Sequence, residues 1–93
     1  MPLNQKLILH SPISDETLLE GFVEQCLRDK VSLLAIFGPG CEELEEKIDW
    51  LIIGDLQPGR FLCTTSHPHD RLEEVLAMAT AWKAEGDVAE IHL

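Results

Sequence analysis

Apolar residues along this chain follow two rhythms, and the two alternate. Lys6-Leu7-Ile8-Leu9-His10 is a short run of strand character, closed by the turn Ser11-Pro12-Ile13. Leu18, Leu19, Phe22, Val23, Cys26 and Leu27 then recur at three- and four-residue steps, which predicts a helix over Asp15 to Lys30. Ser14 stands at its cap position, with Asp15 and Glu16 at the favourable positive end of the dipole. Ser32 to Phe37 is apolar on both faces, as in a strand covered by helices on each side, and Gly38-Pro39-Gly40 breaks it.

From Cys41 a second helical stripe runs through Leu44, Ile48, Leu51 and Ile52, with Gly54 as terminator. Trp50-Leu51-Ile52-Ile53 also fits a strand turning at Gln57-Pro58-Gly59, but the 44/48/51/52 spacing favours the helix. Arg60 to Thr65 reads as a third strand. After a polar turn, Asp70 and Glu73 approximate a capping box for a helix reaching about Glu85, with Leu72, Val75, Leu76, Ala79 and Trp82 as its stripe and Gly86 at its end. In Val88 to Leu93, Glu90 and His92 alternate with Ala89, Ile91 and Leu93, the pattern of an edge strand with one wet face. The expected fold is one α/β domain over residues 1–93, in βαβαβαβ order. Its four-stranded, mostly parallel sheet carries helices on both faces in three layers, with strand order 2-1-3-4.

Composition narrows the function classes. Seven basic against 17 acidic side chains give a net charge of −10, the wrong sign for gripping nucleic acid or an anionic membrane. The same charge suits a protein partner with a basic surface. No apolar run approaches the roughly 20 residues that span a bilayer, and no signal-peptide pattern opens the chain, so a cytoplasmic location is expected. Cys26, Cys41 and Cys63 are odd in number and widely spaced, which fits reduced thiols better than a disulfide framework.

Parallel sheets bind ligands beyond the carboxyl ends of their strands. The candidate strand-end site is therefore His10, Cys41, Thr65, Ser66, His67 and His69, side chains that offer hydroxyl, imidazole and thiol groups for a small molecule. The competing reading is local: Thr ends a strand, Ser and His suit a turn, Pro68 enters a helix and Asp70 caps it. His67 and His69 form a bare His-x-His pair, short of a recognised metal-ligand spacing, so neither a metal nor a cofactor is assigned. Glu42, Glu43, Glu45 and Glu46 oppose ionisation of Cys41 and give Gly38-Pro39-Gly40 the wrong field for phosphate. Cys26 and Cys63 read as small core residues.

On the second helix, Trp50 and Ile53 point away from the apolar stripe and join Glu42, Glu45, Glu46 and Asp49 as a candidate partner interface. Lys83-Ala84-Glu85-Gly86-Asp87, leading into the last strand, resembles the end of the barstar family of small acidic ribonuclease inhibitors. That likeness is confined to the end of the chain, and the strand at Ser32 to Phe37 departs from it. It implies at most that a small acidic α/β domain can serve as a protein-binding inhibitor. The expected function is a protein-binding domain of regulatory or immunity-inhibitor type, able to pair with itself, with no catalysis assigned. The alternative is a small-molecule or metal-binding domain, or an enzyme, with its site at the strand ends.

Overall fold

β1 (Lys6–His10) and β2 (Leu33–Phe37) lie side by side at the centre of a four-stranded sheet, because both need cover above and below: β2 is apolar on both faces, and β1 buries Leu7 and Leu9 on one face and Ile8, beside the buried Lys6, on the other. The computed structural model describes residues 3–53, 62–82 and 86–93. Along it follow a 3-10 turn (Glu16–Leu18), α1 (Leu19–Arg28), α2 (Cys41–Ile53), β3 (Cys63–His67), α3 (Leu72–Ala81) and β4 (Val88–Ile91). Every strand pairing is parallel and the order is β3-β2-β1-β4.

The fold class is the expected one; the expected order 2-1-3-4 is not. That order places β3 in the interior, and Cys63-Thr64-Thr65-Ser66-His67 is too polar for a strand covered on both sides. The helices carry the same message. Phe22, Val23 and Cys26 of α1 share one core with Cys41, Leu44, Ile48 and Ile52 of α2, against Leu7, Leu9, Leu34 and Ile36 of the sheet. Val75 and Ala79 of α3 pack on the other face, against Ile8, Leu33 and Ala35. Right-handed crossovers require this split. Two steps in one direction, β1 to β2 to β3, put α1 and α2 on one face; the return from β3 to β4 puts α3 on the other. No helix among the described residues is long and apolar enough to cross a membrane.

Several boundaries move. Trp50 to Ile53 is helix, as the spacing favours; Gly54 and Gln57-Pro58-Gly59 lie outside the described residues. Asp15, not Ser14, caps the 3-10 turn, its carboxylate accepting from the Thr17 backbone N–H at 3.0 Å, and α1 itself begins at Leu19 with no side-chain cap. The Ser14 N–H donates to the Leu93 carbonyl at 2.7 Å, tying the loop after β1 to Leu93. α3 stops at Ala81, because Trp82 turns extended (ψ 148°) while its indole packs on the second core and its Nε1–H reaches Ser32 Oγ. That stop comes before the expected Gly86.

Gly38 opens the turn after β2 at φ +111°, and a Cβ there would collide with the carbonyl oxygen of Ser11. Gly86 also has a positive φ, +101°, but has open space around it. Gly38→Ala should therefore cost roughly 2–4 kcal/mol, and Gly86→Ala about 1 kcal/mol from backbone strain alone. Urea midpoints at unchanged m-value read both.

Burial and the Asp29 charge push the Cys26 thiol from 9.0 up to about 12. A group held protonated in the folded state favours the native chain below its unfolded pKa, and that contribution fades as pH rises from 9 towards 12. Stability at pH 10 should fall by roughly 1.4 kcal/mol from this group, a slope that Cys26→Ala removes in denaturation series run across alkaline pH.

Candidate functional site

Register in a parallel sheet lines up the carboxyl-end residues in rows. His67 of β3, Phe37 of β2 and His10 of β1 form the last row, and Thr65, Ala35, Ile8 and Glu90 the row behind it. Ala35 and Ile8 belong to the core under α3, so both rows face that side of the sheet. Polar chemistry collects at the two ends of these rows, with the apolar Phe37, Ala35 and Ile8 between them.

At the β4 end, His10 Nε2 and Glu90 Oε1 are 2.7 Å apart. The His10 ring stacks on His92 with centroids at 4.1 Å, and meets Phe37 edge-on at 5.7 Å. Glu90 and His92 were legible only as the wet face of an edge strand. Nothing in the sequence shows that β4 returns to lie beside β1 and delivers them to His10; the Glu-x-His alternation was the available signal.

At the β3 end, Thr65 Oγ1 lies 2.8 Å from His67 Nε2, and His67 Nδ1 lies 2.8 Å from Asp70 Oδ2. Ser66 and His67, expected in the turn, are inside the strand. Thr65 and His67 therefore share a face, while Ser66 turns to the α2 side beside Ile36. Asp70 is not the cap of α3: Arg71 holds that position without a side-chain bond, and the Asp70 carboxylate orients His67 instead. His69 is exposed in the turn. The hydroxyl–imidazole–carboxylate chain has the pairwise order of a nucleophile with its base and orienter. It lies along an edge strand, and none of its three residues lines the groove on α2 or the groove between residues 11–13 and 39–40.

The six candidate strand-end residues thus do not form one site. His10 belongs to the β4 corner, while Thr65 and His67 belong to the β3 corner. Cys41 is fully buried in the core beneath α2.

The third feature is on α2. Glu42, Glu45, Glu46, Asp49, Trp50 and Ile53 line an open groove of about 310 Å³. Trp50 is 67% exposed and Ile53 47%. This flank is fixed to the sheet by Thr64 Oγ1, which donates to Asp49 Oδ1 at 2.7 Å. The helix's single cation is engaged elsewhere, with Lys47 Nζ on Glu16 Oε1 at 2.8 Å, and that bond and the Glu16 charge raise the Lys47 pKa. Its charge therefore does little to offset the carboxylates of the groove.

An all-parallel α/β sheet of four strands, polar at both carboxyl-end corners and acidic along one helix, defines the class of this protein. The chain belongs to the family described as Domain of unknown function (DUF7684), which matches residues 2–92. No curated protein and no solved structure matches it.

Burial sets the order of thiol reactivity. In the native state a disulfide reagent such as DTNB should label the half-buried Cys63 first, with Cys26 and Cys41 reacting only on unfolding. Cysteine-to-serine variants followed by absorbance assign each step. Fast native labelling of Cys41 would contradict its placement in the core.

Proposed function

We propose that this chain is a protein-binding domain, of regulatory or immunity-inhibitor type, that docks a basic partner through the flank of α2. The observation that carries this reading is the coincidence, in one groove, of four carboxylates with two exposed large apolar side chains. Exposed tryptophan costs solvation without adding to the core, and Trp is enriched at the energetic centres of interfaces. Carboxylates around it speed the approach of a cationic surface and disfavour an acidic one.

The same charge argues against a second copy of this chain as occupant of the groove. Two such flanks face to face would bring Glu42, Glu45, Glu46 and Asp49 of each against their equivalents. The partner this surface fits is a different protein, presenting Lys or Arg around an apolar pocket for the indole.

Affinity capture with the full chain, identification by mass spectrometry and binding measurements on the purified partner test this. Trp50→Ala should weaken binding by about 2 kcal/mol or more, a factor of roughly 30, mainly through faster dissociation. Glu45→Lys with Glu46→Lys should slow association and flatten its salt dependence. Both substitutions lie on the exposed flank, so unfolding midpoints should stay within about 0.5 kcal/mol of the parent. A partner whose affinity ignores both changes and added salt, self-association through this flank, or no partner at all removes the proposal.

A further inference from the structure

We propose that His10, Glu90 and His92 form a binding site for one divalent transition-metal ion, with zinc(II) the best match to the ligand set. One ligand atom from each residue lies within 4.8 Å of the others. Two imidazoles and a carboxylate are a zinc donor set that leaves a fourth position for water.

Topology supplies a second, independent reason. The chain builds outward from β1 to β2 and β3, then returns so that β4 pairs with the other side of β1. Strand order reverses between β1 and β4, and open parallel sheets take their ligands in the crevice beyond the carboxyl ends at such a reversal. His10 is the last residue of β1, and Glu90 and His92 flank the last residue of β4, Ile91. They sit on the α3 face, whereas the acidic flank of α2 is on the opposite face beside β3. The two proposals share no residue.

The geometry also states what must move. Ligand atoms bound tetrahedrally to one zinc ion are about 3.3–3.6 Å apart, given bonds of about 2.0–2.2 Å. Glu90 and His10, now 2.7 Å apart, separate slightly, and the ion takes the place of the proton between them. Each imidazole holds an ion in its own ring plane, so rings 15° from parallel rotate out of their stack. His92 is exposed and beyond the end of β4, so it has room to turn, while His10 is held edge-on against Phe37.

Titration of the chelator-treated full chain with Zn²⁺ alone, read by calorimetry and by imidazole NMR signals, tests the site. One ion per chain should bind, shifting the His10 and His92 ring signals together as the stack opens, with those of His67 and His69 unmoved. His92→Ala and Glu90→Gln, both at exposed positions, should each lower affinity by roughly tenfold or more, since even partners behind a ligand are worth that much. His10→Ala should act alike, with its amide spectrum reporting the fold. His67→Ala with His69→Ala should leave affinity unchanged, and a Co²⁺-loaded sample should lack thiolate absorption. The proposal is overturned by absence of saturable one-to-one binding, by affinity that survives His92→Ala and Glu90→Gln, or by affinity lost with His67 and His69.

Discussion

Two neighbouring strands whose apolar side chains are buried on both faces of the sheet set the terms for everything else in this molecule. β1 and β2 bury Leu7, Ile8, Leu9, Leu33, Leu34, Ala35 and Ile36 completely, which is possible only between two helical layers. Parallel pairing then demands crossovers, and their right-handedness dictates which helix covers which face. α1 and α2 take one side and α3 the other. The less apolar strands, β3 and β4, are left at the edges, where one side of each pairs and the other meets solvent or loop.

This division of labour decides where function can reside. Interior rows of the sheet are filled by hydrocarbon, so polar side chains at the carboxyl edge can gather only at the flanks. One flank brings His10 against Glu90 and His92; the other aligns Thr65, His67 and Asp70. Neither carries the acidic surface, which belongs to α2 and is held in place by the Thr64–Asp49 hydrogen bond. The acidic flank of α2 and the His10–Glu90–His92 cluster are thereby separated by the thickness of the sheet.

The elements were legible because each depends on spacing within one segment. The doubly apolar β2 survives into the structure as read; the 44/48/51/52 stripe of α2 does so with Leu51 only partly buried, and the face of α1 does so from Leu19 onward, Leu18 being half exposed in the 3-10 turn. Caps were less so. Ser14 and Asp70 fit cap positions in the sequence, but Asp15 takes the cap beside Ser14, and the Asp70 carboxylate pairs with His67 of the preceding strand. A local rule is overridden when a competing hydrogen bond is supplied by residues that the rule does not see.

Of the candidate residues, the α2 flank was readable because its six members lie on a single helix, where the 3.6-residue period alone places them together. Strand-end residues come from separate strands (β1, β3 and β4), and their grouping depends on strand order, which no local period encodes. Its place after Gly38-Pro39-Gly40 puts Cys41 on the rim in the sequence, yet the first turn of α2 points it into the core. The sequence by itself therefore determined the elements, the acid-and-tryptophan flank and the expectation of a parallel sheet, since near-neighbour periodicity and composition suffice for these. Only the tertiary structure decided that β3 lies outside β2 and β4 beside β1. That choice rests on which helix faces merge into one core, a sum over contacts between segments distant in the chain, and it alone brings Glu90 and His92 to His10.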